Sequence, residues 1–314
     1  MTSEVEHLSL QDVHRIDAEH DALAGPPHVA SLLKPDMMSP STVAISGHDG
    51  FLFIANGSRR WERQYLAEVV VTEAWLNDWQ KIFAARQAEA RARGVELWNL
   101  VVPEKQVLLA EKRWPTGGSQ GGGRPFKLLE GVITPEARLL YPEAAMRAVQ
   151  VTAPVFFRHD SHWTVSGCCA AADLVLEAMS AKARLKDVGV AVRREHRRHD
   201  LTDHFFAPPP TEDLLALAPA GQVVEDNRLF ERTGEHVGNL YVVDNPAAPD
   251  PRRLVLFGDS CAFDMGLAYA LSAVFSRVVF VWAKSVDWAL VDQHRAELVL
   301  WESAERFIAT HAQT

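Results

Sequence analysis

The sequence predicts an α/β fold of three layers, with helices on both faces of a mostly parallel sheet, and three observations carry that reading. From Arg253 onward the chain alternates strand RLVLF (253–257), turn Gly258-Asp259-Ser260, a helix over 262–275, strand RVVFVW (277–282), a helix around 286–294, strand ELVLW (297–301) and a short terminal helix. VELWNLVVP (95–103) is a nearly continuous apolar run, the pattern of a strand buried on both faces. Ahead of it, over 64–93, apolar residues return at helical spacing (Leu66, Val69, Val70, Leu76, Trp79, Ile82, Phe83), and Gly94 ends the pattern.

The remaining elements follow in chain order. Residues 1–42 read as a polar N-terminal arm, a helical lead-in broken by Pro26, Pro27, Pro35 and Pro40, and 43–314 as one domain. TVAISGHDGFLFIANG holds two short apolar runs separated by Gly47 to Gly50, which predicts a hairpin. TGGSQGGGRP (116–125) lacks the Lys-Ser/Thr of a phosphate loop and reads as a flexible loop or lid. VQVTAPVFF (149–157) is strand-like and runs into RHDSHW, after which a helix capped near Thr164 or Ser166 is expected. The basic run 193–199 reads as a solvated face or loop, and the prolines at 208–210 and 246–251 bracket an irregular stretch.

Composition bounds the partners. A chain of 314 residues with 47% hydrophobic content can bury one large core or two modest ones. A formal net charge of -9 gives no overall attraction to phosphate backbones or anionic lipid, so neither nucleic acid nor membrane insertion is expected. A small molecule, a glycan or a protein is the expected partner. Three cysteines, two of them adjacent, make no disulfide framework. The acidic N-terminus lacks the features of a secretory signal, so the chain is expected in the cytoplasm, or in the periplasm if a signal has been removed.

The chemistry lies in two motifs. A serine hydroxyl attacks at neutral pH only when an adjacent base takes its proton. Ser260 sits in a turn that Gly258 can tighten, ahead of an expected helix whose first amides, with the Ser260 N–H, would face an oxyanion. Asp160-Ser161-His162-Trp163 places a carboxylate two residues from an imidazole, so Asp160 can orient the ring while its other nitrogen meets the serine. Taken singly, each motif also reads as a helix cap. Both are expected after parallel strands, at the sheet edge where ligands collect. Around them Gly258, Asp259, Trp163 and Lys105 are expected to line the substrate site, with 103–105 and 282–284 placed to supply further donors. Trp163 reads equally as core, and Cys261 reads as packing.

These residues resemble the SGNH-hydrolase-like domain of the alginate O-acetyltransferase family, the AlgX/AlgJ type. There a D-x-H-W segment comes first and a G-D-S or related serine turn near the end, a permuted order relative to ordinary SGNH esterases. The likeness extends to GHDGFLFIANG, VVPEKQVLL, FFRHDSHWTVSGCCAAADL, RLVLFGDSCAF and ELVLWESAERFI, and covers roughly residues 43 to 308. It implies Ser260 as nucleophile, His162 as general base and then acid, and Asp160 as orienter, moving an acetyl group through an acyl-serine onto a hydroxyl of a sugar or other small acceptor. No bound cofactor is implied. A cytoplasmic member would draw its acyl group from a thioester, acetyl-CoA or an acyl-donor carrier protein. The alternatives are an esterase or deacetylase with the same triad, a non-catalytic glycan-binding member of the fold, and a zinc site built from His159, Asp160 and His162 with His196, His199 or His204. The expectation is an enzyme with no metal.

Overall fold

The strongest apolar runs of the sequence become the strands of one sheet, and their two-residue alternation sends side chains to two separate cores. The computed structural model describes residues 4–24, 32–114, 122–263 and 265–311. Its strands are β1 (Glu6–Leu8), β2 (Ala44–Ser46), β3 (Leu52–Ile54), β4 (Glu96–Val102), β5 (Leu139–Leu140), β6 (Val190–Arg198), β7 (Thr211–Leu217), β8 (Gln222–Asp226), β9 (Leu240–Asp244), β10 (Asp250–Gly258), β11 (Phe275–Trp282) and β12 (Leu298–Ala304). Seven form the central sheet in the order β5-β4-β12-β10-β11-β9-β8. The pairs from β5 to β11 are parallel, and β9 and β8 add an antiparallel edge.

On one face Leu254, Leu256, Val278, Phe280 and Leu300 pack against Cys168, Ala172 and Val175 of the helix Val165–Ala178 and against the helix Leu267–Ser272. On the other, Val255, Phe257, Val279 and Trp301 pack against Trp79 and Phe83 of the helix Glu73–Arg93 and against Ile308 of the helix Glu305–His311. This is the three-layer arrangement expected. After β10 the chain enters the first face and after β12 it continues into the second. The crevice between the carboxyl ends of these neighbours is therefore the topological switch point of the sheet.

The hairpin of β2 and β3 and the capped helix after the D-S-H-W segment form as expected, the latter with Thr164 accepting from the Gly167 N–H. Other elements differ. The long helix begins at Glu73, capped by Thr72, because Ala67 adopts a left-handed φ of 58° that a helix cannot continue through. Residues 149–157 are no strand: Val149 and Gln150 end the helix Glu143–Gln150, and the N–H groups of Thr152 and Ala153 both close on the Val149 carbonyl. The stretch expected to be irregular contains β7, β8 and β9. Residues 193–198 of the basic run belong to β6, held by antiparallel pairing with β7.

The segment expected as a polar arm is built into the domain. β1 pairs with β6, Val13 of the helix Leu10–Leu23 is fully buried, and Asp17 accepts from the backbone N–H and hydroxyl of Ser166 at the start of the Val165–Ala178 helix. Burial pushes the Asp17 carboxyl up to about 6, with the Ser166 hydrogen bonds opposing. Most of the Gly-rich loop expected as a lid, residues 115–121, lies outside the described residues. Among the described residues no helix is long and apolar enough to cross a membrane.

Candidate active site

Ser260 follows β10 in a turn whose geometry is set by Asp259. One Asp259 oxygen accepts from the Cys261 N–H at 3.0 Å and the other from the Ala304 N–H at 2.8 Å, while the Asp259 N–H donates to Glu302 Oε2 at 3.0 Å. The nucleophile turn is thus tied to the end of β12. Gly258 is needed for close approach, since a Cβ there would lie 2.5 Å from Glu302 Oε2 and 2.8 Å from the Ala262 Cβ. Gly258→Ala is therefore expected to cost about 1–3 kcal/mol of stability by overpacking and to displace Ser260. Thermal denaturation together with activity checks this, and a variant with unchanged melting and turnover would contradict it.

The helix expected from residue 262 begins only at Leu267. Gly266, at its N-cap, has a φ of +80°, and Met265 donates its N–H to the Ser260 carbonyl, so 260–263 are turn rather than helix. The first amides of a helix are accordingly not at hand for an oxyanion. The Ser260 N–H itself takes no hydrogen-bond partner among the described residues and is left as a donor.

Asp160 and His162 lie on a tight loop closed by the Phe156–Trp163 bridge and by the Phe157 N–H on the His162 carbonyl. The loop is pinned from behind. Lys105, expected to meet substrate, is 1% exposed and donates to the carbonyls of Leu52, Arg158 and Asp160 at 2.7, 2.7 and 3.1 Å. It is a strut under the loop, and burial pushes its ammonium down to about 7. Trp163, expected as a pocket wall, is also buried, and its Nε1 donates to the Met265 carbonyl, joining this loop to the nucleophile turn. Asp259 and Gly258 likewise shape the turn rather than facing substrate. Only the Ser260 motif follows a parallel strand; the D-S-H-W motif approaches it from a loop of the helical layer.

The two motifs meet. His162 Nε2 stands 2.9 Å from Ser260 Oγ, and His162 Nδ1 stands 2.6 Å from Asp160 Oδ1, which also accepts the His162 N–H at 3.0 Å. Asp160 is 2% exposed, and its second oxygen accepts from His199 Nδ1 at 3.2 Å and from the Asp200 N–H at 3.1 Å. Burial opposes the charge on Asp160, but His162 and His199 outweigh it and hold the carboxyl well below its ordinary range. For His162 burial opposes protonation, and the Asp160 charge and hydrogen bond reverse this and raise its pKa above the ordinary 6.5.

The histidines weighed as zinc ligands do not gather around one point: His199 stands between Asp160 and Glu212. His159 turns to Glu212, His162 to Ser260 and Asp160, His204 to Ser41 and His196 to Asp213. Asp160, His162 and Asp200 do bring ligand atoms within 4.8 Å of one another, but the His162 and Asp160 atoms are engaged with each other, and both Asp200 oxygens accept from Ser161. The contribution of His199 and Glu212 was not visible in the sequence, because both stand in segments whose composition reads as surface.

A serine, an imidazole and a carboxylate in one hydrogen-bonded line, at the switch point of a three-layer α/β sheet, define the class of SGNH-like serine enzymes that carry acyl groups. A family profile described as the SGNH hydrolase-like domain of the acetyltransferase AlgX matches residues 44–285. The chain belongs to that family and is an SGNH-type O-acetyltransferase. Among solved structures, the O-acetyltransferase domain of Pseudomonas putida AlgJ superposes with a TM-score of 0.55 at 16% identity, covering 85% of this chain and 92% of that one. Bacillus cereus PatB1, in a structure with a sulfonyl adduct, gives 0.55 at 10% identity, covering 78% and 94%. A DHHW family protein from Eubacterium siraeum gives 0.53 at 13%, covering 84% and 91%. Among curated protein sequences none matches the chain.

Proposed function

We propose that this O-acetyltransferase works through an acetyl-Ser260 intermediate, with His162 as general base and acid and Asp160 as orienter. The observation that carries the reading is the unbroken line Ser260 Oγ–His162 Nε2 and His162 Nδ1–Asp160 Oδ1, at 2.9 and 2.6 Å. His162 takes the Ser260 proton as Oγ bonds to the donor's acyl carbon, then returns it to the leaving group. An acceptor hydroxyl next gives its proton to His162 and attacks the acyl carbon, and the proton passes back to Ser260 as the ester leaves. The Ser260 N–H supplies one hydrogen bond to the oxyanion in both halves.

The acceptor proposed is a carbohydrate hydroxyl, as the resemblance of the site motifs to the alginate O-acetyltransferase family implies. The donor proposed is a thioester, acetyl-CoA or an acyl-carrier protein, available in the cytoplasm where the chain is expected to act. Incubation with acetyl-CoA or p-nitrophenyl acetate should leave a covalent acetyl group seen by intact-protein mass spectrometry, discharged when a saccharide is added with formation of its O-acetyl ester. Wild-type protein that takes up no acetyl from either donor would overturn the acyl-serine reading.

The pH dependence has a defined sign. His162 must be neutral to accept the serine proton, and Asp160 raises its pKa, so activity is lost as pH falls through that raised value. The acid limb of kcat/KM in a pH–rate profile is expected above pH 6.5, the ordinary value for His. A limb below it would contradict the dominance of Asp160 over burial.

A further inference from the structure

Behind Asp160 the line of imidazole and carboxylate groups does not stop. His199, 1% exposed, reaches Asp160 Oδ2 with Nδ1 at 3.2 Å, and its Nε2 stands 3.3 Å from Glu212 Oε2. Glu212, on β7, gathers two further imidazoles: His159 Nδ1 lies 2.5 Å from Oε1, and His20 Nε2, on the helix Leu10–Leu23, lies 3.4 Å from Oε2. Ser260, His162, Asp160, His199 and Glu212 therefore alternate hydroxyl, imidazole and carboxylate from the nucleophile toward the N-terminal helix.

We infer that His199 and Glu212 are positioning residues of the acyl-transfer site, a second imidazole–carboxylate pair that orients Asp160 and governs how firmly it holds the His162 proton. The inference rests on the acyl-serine reading above. Four donors converge on Asp160: the His162 N–H and Nδ1, His199 Nδ1 and the Asp200 N–H. His199, just past the end of β6, is the one that brings a charge from outside the D-S-H-W loop. Burial works against that charge, yet the hydrogen bond to Asp160 and the nearby Glu212 carboxylate outweigh it and raise His199 to about 9. Glu212 is held ionised in turn, its burial more than offset by His159, His199 and His20. Other charged neighbours are the Arg197 guanidinium, 4.0 Å from Asp160 Oδ2, the Asp200 carboxylate, 3.9 Å from His162 Nδ1, Lys105, 3.1 Å from the Asp160 carbonyl, and Arg306, whose charge opposes protonation of His162. The rings of Phe157, His159 and His20 complete the surroundings of His199, at centroid distances of 5.4, 6.1 and 6.5 Å.

The sign of the effect follows from charge. A cation at His199 draws on the Asp160 charge, so its loss leaves Asp160 to bind the His162 proton more tightly. His199→Gln keeps a donor for Asp160 but removes the cation. Glu212→Gln removes the anion that keeps His199 protonated, and both variants should move His162 in the same direction. NMR titration of the His162 ring is expected to show a higher pKa in each variant than in wild type, with the acid limb of kcat/KM displaced to higher pH. kcat with p-nitrophenyl acetate should fall roughly tenfold while KM changes little, a part of the gain general base catalysis supplies.

The titration needs no turnover, so it is read even if the acyl-serine mechanism fails. A His162 pKa and a kcat both unchanged in folded His199→Gln and Glu212→Gln proteins would overturn the inference. If either variant melts early, the other carries the test, and an unchanged His162 pKa and kcat in that folded protein reject the proposal.

Discussion

Ser260→Ala is expected to remove the acetyl adduct altogether and to lower acetyl-transfer kcat by about 10⁴-fold or more, the scale on which loss of a serine nucleophile is felt in serine enzymes. The reason is local. Ser260 Oγ is the hydroxyl in contact with His162 Nε2, at 2.9 Å. Ser161 Oγ, 3.5 Å from His162 Nδ1 and given to Asp200 Oδ2 at 2.5 Å, is on the wrong side of the ring to replace it. The turn should survive the change, because its bonds run through Asp259, Cys261 and Ala304 and none uses the Ser260 side chain. Unaltered melting with no adduct is the expected outcome. A variant that still acquires acetyl at the wild-type rate would remove Ser260 from the mechanism.

Asp160→Asn is expected to lower kcat by about 10⁴-fold, as loss of the orienting carboxylate does in another serine triad, through the wrong imidazole tautomer. Here the substitution meets a further difficulty. Four N–H groups point at the two Asp160 oxygens, and an amide must turn its own NH₂ toward at least one pair of them. If the NH₂ faces His162, that ring must present Nδ1 as acceptor and Nε2–H toward Ser260, the reverse of what a base needs. If it faces His199 and the Asp200 N–H, those donors are left buried and unpaired, at a cost of about 1–3 kcal/mol each. The raised pKa of His162 should also fall in this variant, since its cause is the Asp160 charge. Stopped-flow acylation and NMR titration of the ring test the two parts separately, and wild-type acylation by Asp160→Asn would refute the role.

The parallel strands 253–257, 277–282 and 297–301 were legible because buried strands write their apolar runs locally, and the two site motifs were legible because each is a short contiguous segment. The pairing of Ser260 with His162, across 98 residues, could be argued from chemistry before any coordinates. What failed were readings that asked composition to stand for contact. Val149 to Phe157 have the residues of a strand, but a helix end and Pro154 use them in a turn. Ala262 to Phe275 have the residues of a longer helix, but Gly266 in a left-handed conformation divides them.

By itself the sequence determined the three-layer sheet and the family and singled out the serine, histidine and aspartate proposed to act, because each is carried by residues close together along the chain. Only the tertiary structure decided that residues 6–23 belong to the domain and that Lys105 and Trp163 are struts. It alone decided that His199 and Glu212 stand behind Asp160. These are long-range pairings of β1 with β6 and β6 with β7, and burial of polar groups satisfied only by partners far off in the chain. A lysine buried on three carbonyls and a lysine facing substrate look alike in sequence. What distinguishes them is which carbonyls the fold brings within 3.1 Å.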